Sequence, residues 1–176
     1  MHDEVTENKL GALWSVLDAA MSQAFDDASP STVAAILTLH FHAPLTGTRL
    51  SRILGLSQPA TVRLLEKLRD AGLTRRHPKR DGKDIDISLT AAGEARAATL
   101  LGRRNAALKA LLAPLSAEKA ALLSTLLDEI LPQEVASRAD ARFLCRFCDH
   151  EICDGAVCPI GCKARDIETA GKEAAK

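Results

Sequence analysis

Between Leu45 and Thr90 the chain spells out helix caps, tight turns and a hairpin at intervals that admit one small helix–turn–helix–hairpin unit. Thr48-Arg-Leu-Ser-Arg-Ile-Leu54 fits a short helix, and Gly55-Leu56 a tight turn. Ser57 is placed to cap a second helix, because its hydroxyl can accept from a backbone N–H of the first turn. Pro59 falls in that first turn, where its missing N–H costs nothing. The helix predicted from Gln58 to Ala71 sets Leu64, Leu65 and Leu68 on one side and closes at Gly72, a C′ residue. Ile85-Asp-Ile-Ser-Leu89 then alternates with period two, and Asp81-Gly82 before it is a hairpin turn signal.

Helical blocks flank this unit. Leu10, Leu13, Trp14, Leu17, Met21, Ala24 and Phe25 recur at i, i+3, i+4 and i+7, predicting a helix from about Val5 to Asp26 that stops before Ser29-Pro30. A second starts near Ser31, carries Val33, Ile36, Leu37 and Phe41, and ends by Pro44. Thr90 caps a long Ala-rich helix reaching about Ala113, and Pro114 breaks it. Ser116 caps another, with Leu122, Leu123, Leu126, Leu127, Ile130 and Leu131 as its stripe and Pro132 at its end. Composition agrees. Ala and Leu supply 56 of 176 residues, while aromatics are 3% and Tyr is absent. Such a core is aliphatic and helical, and it disfavours RNA-binding sheets and carbohydrate clefts, which stack their ligands on aromatic rings. The expected class is mainly α with a small β-hairpin (α+β). The first helix and the two after Thr90 carry more apolar surface than the small central unit can cover, which predicts pairing across a two-fold axis.

Formal net charge is zero, from 23 basic and 23 acidic residues. The zero is a cancellation. From Leu45 to Asp84 ten basic residues face four acids, a net +6, so the rest carries −6. A basic segment coinciding with helix–turn–helix–hairpin is the electrostatic footprint of a double-stranded DNA reader. In that arrangement the second helix enters the major groove with its N-terminal residues nearest the base edges. Those are Ser57, Gln58, Pro59, Ala60 and Thr61, with Arg63 one turn in and Lys67 a turn further. Gln pairs with adenine, Arg with guanine, and a small residue such as Ala60 meets a thymine methyl. Arg75, Arg76, Lys79, Arg80 and Lys83 ride on the hairpin as a wing along the backbone or minor groove. Two such heads on a dimer would sit about 34–36 Å apart and require a near-palindromic site.

The run Leu56-Ser-Gln-Pro-Ala-Thr-Val-Arg-Leu-Leu-Glu-Lys-Leu-Arg-Asp-Ala-Gly-Leu-Thr-Arg-Arg76, followed by Asp81-Gly-Lys83 and Ser88-Leu-Thr-Ala-Ala-Gly93, resembles the MarR family of bacterial transcription regulators. In element order the likeness spans about Val5 to Leu131 and is most specific between Leu56 and Gly93. It implies a winged helix–turn–helix and a homodimer built by the terminal helices. The operator would be near-palindromic and the protein usually a repressor, released by a small molecule or an oxidant. It also implies Gln58, Thr61 and Arg63 as base readers, and Arg75, Arg76, Arg80 and Lys83 as wing or backbone contacts. The family's wing commonly carries Asp-x-Arg; here Lys83 stands in the Arg position, a point charge without the planar fork.

All five cysteines lie between Cys145 and Cys162. An odd number crowded into so short a segment reads as metal or redox chemistry before a disulfide framework. Cys145-x2-Cys148-x4-Cys153-x4-Cys158 has the spacing of a zinc knuckle with Cys153 in the His position. Four thiolates can close a tetrahedron round Zn²⁺, with Gly155 allowing a tight turn between ligands. Phe143, Phe147, Ile152 and Val157 are candidates to shield the site and dock it on the helices. Cys162 or His150 would be a spare or exchange ligand, and Arg142, Arg146, Lys163 and Arg165 could offset the charge. The same crowding, with Pro159 after the fourth Cys, also fits an iron–sulfur cluster. Metal-free alternatives are a thiol switch at Cys145-x2-Cys148 or Cys162, and plain unliganded thiols. Zinc stands slightly ahead. A structural metal would stabilise a segment with little core of its own.

The division expected is 1–44 and 91–132 for dimerisation, 45–90 for DNA, 133–165 for the cysteine-rich extension, and 166–176 for a polar tail. His40 and His42 read as ordinary polar or interface residues, or as lining for an effector pocket of the kind the resemblance implies. No Ser-His-Asp set, paired-carboxylate motif, P-loop or dinucleotide fingerprint occurs, so no enzyme is expected. A thiol–disulfide or electron-transfer protein is the rival class, but no βαβ pattern frames the Cys-x2-Cys. No run of 18 apolar residues exists, and the acidic N-terminus is unlike a secretory leader; the expected location is the cytoplasm, with no membrane partner.

Overall fold

The computed structural model describes residues 4–26, 28–78, 85–153 and 155–174. Its elements run α1 (Glu4–Ala24), α2 (Pro30–His42), β1 (Leu45–Thr46), α3 (Gly47–Leu54), α4 (Gln58–Asp70), β2 (Thr74–Pro78), β3 (Ile85–Leu89), α5 (Ala91–Leu112), α6 (Ala117–Ile130), α7 (Arg138–Leu144) and α8 (Pro159–Ala174). Short 3₁₀ turns cover Leu131–Glu134 and Gly155–Val157. The fold is mainly helical with a small antiparallel sheet, as the sequence predicts.

Side-chain caps set the helix starts. Ser29, Thr46, Ser57, Thr90, Ser116 and Ser137 each accept a hydrogen bond from a first-turn N–H, satisfying a donor the helix itself cannot. At the end of α4 the Leu73 N–H reaches Leu68 O at 2.9 Å and the Gly72 N–H reaches Arg69 O at 2.8 Å. This is the Schellman pairing that turns the chain out of the helix into β2.

The core is built round α2, whose residues Val33 to Leu39 are all buried. A helix apolar on every side must be central. Phe25, Leu50, Leu65, Leu68, Ile87, Leu89, Ala97 and Leu100 close on it from α1, α3, α4, the sheet and α5. β3 pairs with β2 from Thr74↔Leu89 to Pro78↔Ile85, and on its other edge with β1 through Leu45↔Ile87 and Thr46↔Asp86. The expected hairpin is thus the outer part of a three-stranded sheet of order β1-β3-β2. Two residues are too short to show a period, so β1 left no alternating pattern in the sequence.

Beyond α6 the chain folds again: α7 and α8 form a second, small core from Val135, Ala141, Cys145, Cys158, Ile160 and Ala164. α8 runs through the boundary expected between the cysteine-rich extension and the polar tail. Among the described residues, no single helix is long and apolar enough to cross a membrane.

Uncovered apolar surface is most extensive on α6 and α1. α6 has no buried residue, and Leu122, Leu126, Leu127 and Ile130 are exposed. On α1, Leu10, Leu13 and Trp14 face outward, Trp14 at 71% exposure.

Candidate nucleic-acid interface and cysteine cluster

α3 and α4 form the helix–turn–helix, with Gly55 (φ 65°) at the turn. α4 divides cleanly into two faces. Thr61, Leu65 and Leu68 are buried, with Leu64 packed beside them. Pro59, Val62, Arg63, Glu66 and Lys67 are exposed at i, i+3, i+4, i+7 and i+8, a single outward stripe. Ser57 and Gln58, also exposed, lie at its N-terminal end.

Thr61, a base reader by the resemblance, lies on the inner face: it is 1% exposed and its hydroxyl donates to Ser57 O at 3.0 Å. Its position on the Leu65/Leu68 side of the helix turns it into the core. Gln58 is exposed but tethered, its Nε2 donating to Ser51 Oγ at 2.8 Å across the turn. Val62, 48% exposed, was missed; it offers the outward apolar contact that was assigned to the half-buried Ala60. An exposed β-branched residue in the middle of a charged stripe was the available signal.

On the sheet, Arg75 and Arg76 are exposed. Arg75 Nε donates to Ser88 Oγ at 3.1 Å, and His77 Nε2 stands 2.8 Å from the same oxygen, fixing this face of β2 on β3. The expectations for Lys79, Arg80, Lys83 and the Asp81-Gly82 turn lie outside the described residues.

The extension brings four thiols together. Cys145 and Cys158 are buried, with Cys148 and Cys153 packed against them. Hydrogen bonding with Cys148, then burial, raises the pKa of Cys145. Hydrogen bonding with Cys145 draws Cys148 down to about 7, helped by the charge of Arg104. Burial and the neighbouring Cys158 push Cys153 up to about 12. Among the described residues no three His, Cys, Asp or Glu side chains stand placed to hold a metal ion together. Gly155 makes its expected turn at φ 60°. Cys162 stands apart, its thiol directed at Gly155 O (3.4 Å). His150 faces the Cys145 carbonyl at 3.2 Å. Arg138, Arg142 and Arg165 line a cavity of about 250 Å³ beside Cys145, Cys153 and Cys158.

Of the four apolar neighbours, the two phenylalanines dock the extension on the rest of the chain. Phe147 stacks on Phe25 at 6.2 Å, and Phe143 packs on Gly55. Ile152 and Val157 are instead 70% and 69% exposed. Arg146 lies 3.9 Å from the Phe143 ring centroid and 4.8 Å from that of Phe147. Its guanidinium thus belongs to the docking surface of the extension rather than to the thiols. His150 meets Phe41 and His42 at ring distances of 5.0 and 4.8 Å, and Asp149 accepts from Asn105 of α5 at 3.0 Å. His40 pairs with Glu94 of α5 at 2.5 Å, the ordinary polar role expected of it.

No protein-family model matches the sequence, and no curated protein does. Solved structures do match. YusO from Bacillus subtilis is 19% identical, with a TM-score of 0.66 over 75% of this chain and 95% of its own. MepR, a transcription regulator of the Staphylococcus aureus multidrug efflux pump MepA, is 17% identical, with a TM-score of 0.62 over 75% and 98%. A MarR family protein from Bacillus stearothermophilus is 21% identical, with a TM-score of 0.64 over 76% and 98%. The helix–turn–helix, the three-stranded wing and the flanking helices of this chain are the MarR-type winged-helix fold.

Proposed function

We propose that this chain is a sequence-specific DNA-binding transcription regulator of MarR type, acting as a homodimer on a near-palindromic operator and most simply as a repressor. The observation that carries the reading is the outward stripe of α4. Val62, Arg63 and Lys67 project from a helix whose other face is locked into the core, beside two exposed arginines of the wing. A rigid helix presenting a guanidinium one turn from its N-terminus is what major-groove reading requires. Arg63 is the base reader, with Gln58 beside it; Ser57, Pro59, Lys67, Arg75 and Arg76 are backbone contacts, and Lys79, Arg80 and Lys83 extend them.

The dimer reading rests on the uncovered apolar faces of α1 and α6. Leu10, Leu13, Trp14, Leu122, Leu126 and Ile130 are too many exposed large apolar side chains for an isolated protomer. An effector has a candidate place in the apolar cavity of about 410 Å³ lined by Trp14, Met21, Phe25, Leu108 and Phe147.

Cys145, Cys148, Cys153 and Cys158 hold a metal centre in this reading, zinc first and an iron–sulfur cluster as the alternative. Support comes from the spacing of these four cysteines and from their place in or against one small core, which Cys162 does not share. Anaerobic purification with elemental analysis and a visible spectrum separates the two metals. The described part of the extension is helical and turn, without the βαβ frame of a thiol–disulfide protein.

Binding to duplex DNA against salt tests the whole. A regulator loses affinity steeply as salt rises, through counterion release. Arg63→Ala should relax specificity at one base position by about 1–3 kcal/mol, while Lys67→Ala weakens all sequences alike. Salt-independent or absent binding would sink the reading.

A further inference from the structure

A groove runs between α3 of the helix–turn–helix and α7 of the extension, lined by Arg49, Arg52, Ile53, Arg138, Ala139 and Arg142. Four of its six lining residues are arginines, two from each helix, and none is an acid. Each pair is one turn apart, at i, i+3 on α3 and i, i+4 on α7, so two guanidinium ladders face one space. Arg138 is held by Glu168 of α8 through bonds of 3.0 and 2.7 Å. Arg49, Arg52 and Arg142 make no ion pair with a described residue, although Glu168 feels the charge of Arg142. One carboxylate, Glu168, stands against four guanidinium groups, and the uncompensated like charges repel; an anion entering between them removes that cost through charge-assisted hydrogen bonds.

We propose that α7 enlarges the DNA-binding surface, with Arg138 and Arg142 joining Arg49 and Arg52 to hold a backbone phosphate beside α3. The inference rests on the DNA-binding reading above and adds to it a contact outside the winged helix. Duplex DNA is favoured over a free anion by position. In a helix–turn–helix the first helix crosses the sugar–phosphate backbone while the second enters the groove, and Arg49 and Arg52 lie on the exposed side of that first helix. α7 is also fixed to the reading head, because Phe143 rests on Gly55 at the turn between the two DNA-facing helices. The arginines of α7 therefore travel with α3 and α4.

Phosphate contacts are independent of base sequence, so a mixed-sequence duplex suffices as probe. Its affinity for the full chain is measured over a salt series for the wild type, Arg142→Gln, Arg49→Gln and, as an equal change of charge on α5, Lys109→Gln. Arg142→Gln and Arg49→Gln should each bind roughly five- to tenfold more weakly at low salt. Each should also flatten the slope of log K against log salt by about 0.9 per lost contact. Lys109→Gln should match the wild type. If the wild type shows no salt-dependent DNA binding, the regulator reading itself fails. If the wild type binds and both arginine variants keep its affinity and slope, this inference alone is overturned. It is overturned too if Arg142→Gln abolishes thermal stabilisation by inorganic phosphate while leaving the DNA slope unchanged, because the groove would then serve a small anion. Circular dichroism confirms that each variant is folded, and the two arginines on separate helices prevent one misfolded variant from deciding the result.

Discussion

Phe143 of α7 lies against Gly55, the turn residue of the helix–turn–helix: a Cβ built on residue 55 would stand 2.7 Å from Phe143 Cε2. The turn therefore needs glycine twice over, for its left-handed backbone at φ 65° and for the ring above it. Gly55→Ala should cost about 1–2 kcal/mol for the left-handed conformation, plus about 1–2 kcal/mol for displacing the ring. In a Phe143→Ala background only the first cost remains. A double-mutant cycle by chemical denaturation reads the difference, and equal costs in both backgrounds would mean that the extension does not rest on the turn in solution.

Thr61 separates a core role from a reading role. Its hydroxyl donates to Ser57 O, which also accepts the Thr61 N–H at 3.0 Å. Thr61→Val keeps the shape and leaves that carbonyl partnered, so the cost should be about 0.5–1.5 kcal/mol of stability. Base preference should be unchanged across a set of operator variants. A shift in preference at one base position would restore Thr61 to the reading surface.

The helix–turn–helix was legible because its punctuation is chemical: the Ser57 cap, the Gly55 turn and the Gly72 stop fall in the structure where their side chains require. The face of Thr61 was not legible from its place near the helix start, since Ser57, Gln58 and Thr61 share that first turn but not one side of it. α8 was hidden by its own composition. Its first residue is Pro159, an N1 signal, but Pro159 follows Cys158 and reads equally well as part of a cluster motif. The Ala, Lys and Glu beyond it give little stripe, and only Ile160, Ala164 and Ile167 touch the small core. The four-arginine groove was invisible for another reason. Its two halves are some 90 residues apart in sequence, and only the docking of α7 on α3 brings them together.

Asp26, just after α1, ties that helix to α5 through Arg103 and Arg96. Hydrogen bonding by Arg103, above all, holds its carboxyl below the ordinary value of 3.8. A depressed carboxylate contributes stability above its unfolded value and loses it as pH falls through the lower folded value. Asp26→Asn keeps a residue that tolerates the positive φ of 51° and removes the charge. The variant should be less stable than the wild type at neutral pH, and the two should converge as pH falls below about 4. The gap should be modest and shrink with salt, because the carboxylate is half exposed. Urea denaturation at several pH values checks this; a gap that persists undiminished at pH 2 would assign the effect to something other than charge.

The cysteine cluster makes the last and sharpest division among neighbours. Cys145 and Cys158 are two of only six buried residues in the small core of α7 and α8, so their liganding would join metal binding to the folding of both helices. Cys145→Ser and Cys158→Ser should lose the metal and part of the helical signal together. Cys162→Ser should keep one metal per chain, since its thiol faces the Gly155 carbonyl and not the other four. A strong chelator added to the wild type should reproduce the helix loss, and returning the metal should reverse it. Stabilisation should grow with free metal concentration, as for any ligand that binds the folded form alone. Elemental analysis beside far-ultraviolet circular dichroism gives both readouts on one sample. Full metal content in Cys158→Ser, or its loss in Cys162→Ser, would overturn the ligand assignment. Helices untouched by chelation would show that the metal does not hold them.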